Sequence, residues 1–163
     1  MQPMKTLRLA VVAFLLFGSF GSLYARRMRG WTYQELLDKS DLVVIATPTQ
    51  TRDTEERADL PNIYRVAPDG KESGIAAVGL ESTFRIRTIL KGDKTSKEFV
   101  LHYYRLLKPN SIAIDAPALA TFEPNKMAFL LFLVREPDGR YAPCSGQTDP
   151  TLFSVLALHG MAE

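Results

Sequence analysis

The sequence predicts a mainly β domain: five or six short strands curled into a small barrel, with one short N-terminal helix. Three stretches carry that reading. In the first, Thr83 to Leu90, Phe84 and Ile86 alternate with Thr83, Arg85 and Arg87, the period of a strand with one buried face. In the second, Phe99, Leu101 and Tyr103 alternate with Val100, His102 and Tyr104, so this strand is apolar enough to be covered on both sides. The third is Met127 to Val134, eight apolar residues in succession, whose length and flanking turns favour a central strand over a helix.

The alternation after Ile86 slips by one place, because the next large apolar residue is Ile89. One extra residue near Arg87 and Thr88 restores the phase, which predicts a β-bulge and a bend suited to a closing sheet. Lys91 to Lys97 then forms a turn, with Gly92 for an unusual dihedral and Asp93 and Ser96 for local hydrogen bonds. The hairpin from Gly79 to Arg105 is thus the centre of the fold.

The helix is predicted at Trp31 to Ser40, where Thr32 and Glu35 have the spacing of a capping box and Leu36 and Leu37 supply apolar contacts. Leu42 to Ala46 follows as a strand buried on both faces, one against the core and one under the helix, closed by Pro48. Residues 51–78 are charged, contain two prolines and a Pro-Asp-Gly turn, and read as a long loop with a short strand at Ile63 to Val66. Leu106 to Thr121 reads as a loop with a short extended piece. Phe122 to Lys126 is a turn, and Arg135 to Arg140 a hairpin turn built on Pro137 and Gly139. Tyr141 to Cys144 returns as an edge strand, the position Pro143 tolerates. The tail is open between a helix starting at Asp149-Pro150 and ending at Gly160, and a last strand within Leu152 to Leu158.

Residues 1–25 have the layout of a secretory signal: Lys5 and Arg8, an apolar centre from Leu9 to Phe17, and small residues up to Ala25, the expected cleavage position, with Ser22 as the alternative because Leu23 is large for its place. A retained membrane anchor is the alternative, and Arg26, Arg27 and Arg29 fit either poorly. Residues 26–30 are then a basic linker and 31–163 a single domain. The full chain carries 20 basic and 18 acidic residues; removing 1–25 takes Lys5 and Arg8 and no acid, so the exported part is neutral. A neutral domain has no global field to draw it onto nucleic acid or an anionic membrane. Cys144 is the one cysteine, which excludes a disulfide within the chain.

The succession of SDLVV (Ser40 to Val44), TFRIRTILKG (Thr83 to Gly92), AFLLFL (Ala128 to Leu133) and DGRY (Asp138 to Tyr141) resembles a pattern of small exported bacterial proteins. Those are similar to the netrin-like, tissue-inhibitor-of-metalloproteinase-like branch of the OB-fold. The resemblance implies a five-stranded Greek-key barrel. The netrin-like pattern also uses a cysteine near the mature N-terminus to meet a protease's metal, and none occurs near Trp31. Metalloprotease inhibition is therefore not carried over, and no functional residue of the family is placed on this chain.

Four groups of residues could carry chemistry. Cys144, in Pro143-Cys144-Ser145-Gly146, could be a nucleophile if His102 or His159 stood beside it as base. The plainer reading is a half-buried thiol at a strand end. Asp53, Glu55, Glu56 and Asp59 could gather around calcium, but they lack the loop glycine and terminal bidentate glutamate of an EF-hand, and Arg52 and Arg57 suggest self-pairing. His102, Tyr103, Tyr104 and Arg105 opposite Arg85 and Arg87 have the composition of a base-stacking face. Ordinary cross-strand pairing accounts for them equally. Lys91, Lys94 and Lys97 read as a solvated hairpin tip. With no hydrolase, phosphate-loop or metalloprotease signature, the expectation is an exported, periplasmic or extracellular, non-enzymatic binding or structural module without a cofactor or metal. Its partner would be an envelope or extracellular protein met through residues 51–78, with no nucleic acid and no membrane contact beyond an uncleaved signal. A thiol-dependent enzyme or other small hydrolase using Cys144 or the loop acids, and a membrane-tethered envelope protein, are the alternatives.

Overall fold

The computed structural model describes residues 30–107, 120–146 and 153–159. The expected signal with its cleavage position at Ala25, the expected linker as far as residue 29, residues 108–119, and Asp149 and Pro150 lie outside the described residues. Within them, helix α1 (Tyr33–Lys39) leads into β1 (Leu42–Val66), β2 (Glu72–Lys91), β3 (Glu98–Leu106), β4 (Ala128–Arg135), β5 (Tyr141–Pro143) and β6 (Val155–Leu158). The sheet order is β1-β2-β3-β5-β4-β6, and β1 also pairs with β4. Five strands therefore close into a ring, and β6 runs beside β4. This is the expected mainly β, OB-like barrel with one short helix.

The helix forms for the reason its sequence gives. Thr32 Oγ1 accepts from the Glu35 amide at 3.2 Å, and Glu35 Oε2 accepts from the Thr32 amide at 2.8 Å, so two otherwise orphaned donors are satisfied. Only Leu36 of the two expected anchors is buried; Leu37 is 37% exposed, because seven residues give the helix a single inward turn. Leu36 packs with Val43, Phe132 and Cys144, and Trp31 covers them. Val43 thus faces the helix while Leu42, Val44 and Ala46 face the barrel interior, the two-sided burial their composition demands.

The bulge falls where the phase slips. Ile45 lies opposite Thr88 and Ala46 opposite Ile86, leaving Arg87 as the extra residue; Leu90 is a second. Both Phe84 and Ile86 then turn toward the core. Phe84 is fully buried, stacked on Phe99 at 5.3 Å between centroids and met edge-on by Phe122 at 5.0 Å and Phe129 at 6.3 Å. These are the offset and edge-to-face geometries that ring quadrupoles favour. Tyr103 joins by its ring against Phe122, and its hydroxyl meets Ser82 Oγ at 2.9 Å, so the polar atom that its side chain brings into this region is bonded.

Several expectations are corrected. Pro48 does not end its strand: β1 runs on, with Pro48 opposite Phe84 and Thr49 left over as a bulge, where a missing N–H disrupts no regular ladder. Tyr141–Pro143 is not an edge strand. It fills the gap between β3, paired in parallel through Leu101 and Tyr141, and β4, paired antiparallel from Leu133 to Arg135. Pro143 is accommodated because it is the last residue of a three-residue strand. Of the two forms open for the tail, the strand is the one found, as Val155 to Leu158 pairs with Ala128 to Leu131.

The largest correction concerns residues 51–78, which are not a loop. They are the outer halves of β1 and β2, a long hairpin arm turning at 67–71. Leu60, Ile75 and Ala77 form a small cluster under it with Tyr104 and Leu106. Beyond Asp59 and Ala76 the two strands pair only with each other among the described residues.

The Phe84 ring touches three others and lies in the dry interior, so Phe84→Ala is expected to destabilise the domain by about 3–5 kcal/mol. Tyr64→Ala on the arm should change stability by roughly 0.5 kcal/mol or less. Urea unfolding of the two variants checks this; equal losses would show that the arm and the barrel share one core.

Candidate functional site

At the root of the arm, Asp53 lies opposite Leu80 and Arg57 opposite Val78, so Thr54, Glu55 and Glu56 face Gly79 alone. Thr54 Oγ1 ties this wide bulge down, donating to the Gly79 carbonyl at 3.0 Å and accepting from the Glu56 amide at 3.2 Å. Gly79 is needed for space: a Cβ there would lie 2.7 Å from Thr54 Oγ1 and 3.1 Å from Glu56 Cβ. Through that gap the Glu56 carboxylate crosses β2 and reaches β3. It accepts a hydrogen bond from the Tyr104 hydroxyl, and its Oε2 lies 3.2 Å from His102 Nε2 and 3.8 Å from Arg140 Nη2.

The opposite ring nitrogen of His102, Nδ1, faces both oxygens of Glu136 in the β4–β5 turn, at 2.9 and 3.1 Å. The His102 side chain is 5% exposed, and the Tyr104 ring packs against it at 5.0 Å. Arg140, from the same turn, bonds Asp138 at 2.7 Å and Glu81 at 3.1 Å, and Arg52 bonds the other oxygen of Glu81 at 3.0 Å. One network of charge-assisted hydrogen bonds therefore joins the arm, β2, β3 and the β4–β5 turn.

Its electrostatics follow from that geometry. Burial pushes the Tyr104 phenol up, and the hydrogen bond and charge of Glu56 push it further, to about 12. Burial also works to raise the Glu81 carboxyl, but the hydrogen bonds and charges of Arg52 and Arg140 outweigh it and hold Glu81 below the usual carboxylate range. Chemically the arrangement is cohesive. Since the two imidazole nitrogens point apart, Glu56 and Glu136 cannot share one ion with the ring. Among the described residues no group of three or more His, Cys, Asp or Glu is placed to hold a metal.

The residues singled out in sequence fall elsewhere or play other parts. Cys144 is 3% exposed beneath α1, its Sγ 3.9 Å from the Leu36 carbonyl, while the His102 nitrogens are turned to carboxylates and His159 is exposed after β6. The four acids do not converge: Asp53 pairs with Arg105, Glu56 enters the network, and Glu55 and Asp59 are exposed. Asp53 is held below the usual range by the Arg105 hydrogen bond.

The proposed stacking face is cross-strand pairing instead. Arg85 lies opposite Glu98, Arg87 bonds Thr47 Oγ1 at 2.8 Å, and His102 and Tyr103 are buried. Nor are all the turn lysines merely solvated: Lys91 Nζ bonds the Leu37 carbonyl at the helix end at 2.7 Å, and Lys94 Nζ the Ile89 carbonyl at 2.7 Å. Glu81, Glu136 and Arg140 were not singled out in sequence, because only the fold brings them together; the one local signal was a glycine, Gly79, in an otherwise apolar strand.

A separate half-open pocket of about 270 Å³ is lined by Thr121, Glu123, Lys126, Met127, Phe129 and Ala157. It is smaller than the roughly 300–1,000 Å³ typical of small-molecule sites. Among the described residues no helix is long and apolar enough to cross a membrane. The sequence matches no protein-family model and no characterised protein.

Tyr104 gives a pH signature. Its neutral form is favoured by the fold, so its contribution to stability is complete below the ordinary phenol value near 10 and is lost as pH rises through about 12. The ultraviolet difference titration between the wild-type chain and Tyr104→Phe should show one phenol ionising at about 12. A difference centred near 10 would show that Glu56 does not hold the hydroxyl.

Proposed function

We propose that the protein is an exported, non-enzymatic binding or structural module that engages an envelope or extracellular protein through the β1–β2 arm. The observation that carries this reading is the tip of the arm. A two-stranded ribbon is at best marginal in water, yet here it extends past the third strand and places Tyr64 at 59% and Val66 at 64% exposure. Tyr64 lies opposite Gly74, so no cross-strand side chain shields its ring. A tyrosine and a valine on one face of a ribbon suit an apolar, partly polar contact with another protein.

The mode of contact follows from the strand itself. Along β1 the ladder is broken at 54–56 and again at 60–63, and Pro61 lacks an N–H. Bulges, charges and proline are devices that discourage a partner strand from adding to an edge, so the tip and not the edge is the docking element. The netrin-like resemblance supports an exported barrel whose loops or hairpins do the binding, which is fold-level analogy. The thiol-enzyme alternative is disfavoured by the burial of Cys144 under α1.

The test joins Leu60 to Ile75 through Asn-Gly, which removes the tip and keeps Glu56. In affinity capture with an amine-reactive crosslinker, the full-length chain should retain an envelope or extracellular protein, and the shortened chain should lose that partner while its thermal midpoint stays within a few degrees. Cys144→Ser should capture it normally. Undiminished capture by the shortened chain contradicts the reading. N-terminal sequencing of the exported protein should begin after Ala25; a start at or before Leu9 would favour the retained anchor instead.

A further inference from the structure

Glu56 stands at the boundary between two kinds of structure. On its barrel side β1 and β2 are backed by β3 and β4; on its tip side they are soon left to each other. Like Asp53, which pairs with Arg105 on β3, it reaches across β2, but its contacts lie on two separate elements: Tyr104 and His102 on β3, and Arg140 in the β4–β5 turn. Through the far nitrogen of His102 the contact continues to Glu136 in that same turn.

From this we infer that Glu56 is a latch which fixes the arm against the barrel and couples its order to that of the β4–β5 turn. The three-residue bulge exists opposite a single glycine, and Thr54 is spent on holding it. His102 is buried with a carboxylate on each ring nitrogen, one from the arm and one from the turn. When the arm swings away, the Tyr104 hydroxyl loses its acceptor and His102 loses the carboxylate at Nε2 inside a partly buried site, an unfavourable state. Arg140 loses one of its carboxylates as well, and the turn it anchors becomes less restrained. By reciprocity, whatever orders or loosens the β4–β5 turn alters how firmly the arm is held. Regulation of the arm is thereby added to the binding reading, on which its biological sense rests, but the latch is a property of the free protein and is measured without a partner.

Hydrogen–deuterium exchange on the full chain, read by mass spectrometry, tests it with Glu56→Gln, Tyr104→Phe and the shortened arm. In Glu56→Gln, amides at 57–76 and at 136–140 should both exchange on the order of tenfold faster, the scale of a lost buried hydrogen bond, while 128–134 stay unchanged. Tyr104→Phe removes one contact only and should fall between, which keeps the test readable if Glu56→Gln folds poorly. The shortened arm retains Glu56 and should leave 136–140 as protected as in the wild type. Acceleration of the arm alone, of neither segment, or of 128–134 along with them would overturn the latch. Loss of capture by the shortened arm, by contrast, bears only on the binding reading.

Discussion

Closure of the sheet around Phe84 is the constraint from which the rest follows. Its ring touches Phe99 from β3, Phe122 from the turn before β4 and Phe129 from β4, so the elements on both sides of the ring are held to β2 at one point. Phe99 in turn meets Tyr141 edge-on, beside the single parallel pairing that completes the ring through β5. Without a disulfide, this packing and the β1–β4 ladder hold the barrel shut. The bulge at Arg87 belongs to the same device, since it bends β2 just past Ile86, where the strand must curl between β1 and β3.

Once the barrel is closed, β1 and β2 have more length than it can use. Leu42 to Ala46 are fixed between β2 and β4, whereas beyond Ala46 β1 pairs only with β2, and beyond Asp59 the facing part of β2 has no other strand partner either, among the described residues. A ribbon so placed gains little from burial and needs another restraint. The polar network around His102 supplies it, with Glu56 from the arm and Glu136 and Arg140 from the turn meeting on β3. Polar groups in this position contribute less to net stability than the aromatic core does, but they are directional, and direction is what the proposed recognition role of the arm requires.

The parts readable in sequence were those whose cause is local. The capping box at Thr32 and Glu35, the unbroken run Leu42 to Ala46, the extra residue at Arg87 and the turn at Gly139 each follow from a few adjacent side chains, and each forms. The arm was not readable because charge masks its period. Glu55, Arg57 and Asp59 are exposed while Glu56, on the opposite face, is also charged, and two wide bulges reset the phase before any alternation is established. The network was hidden for a different reason: Glu56, His102 and Glu136 are far apart in sequence, and the order of strands that joins them is set by barrel closure. The place of β5 inside the ring depends on that same closure, although its turn was plain.

One continuous strand, β1, belongs to two structures of unequal stability. Native-state hydrogen exchange along β1 at increasing denaturant tests this most directly. Amides at 42–46 should exchange only by global unfolding, with a steep dependence on denaturant, while those at 59–66 exchange through a smaller opening that is nearly independent of it. A single exchange free energy along the whole strand would contradict the separation of arm from barrel.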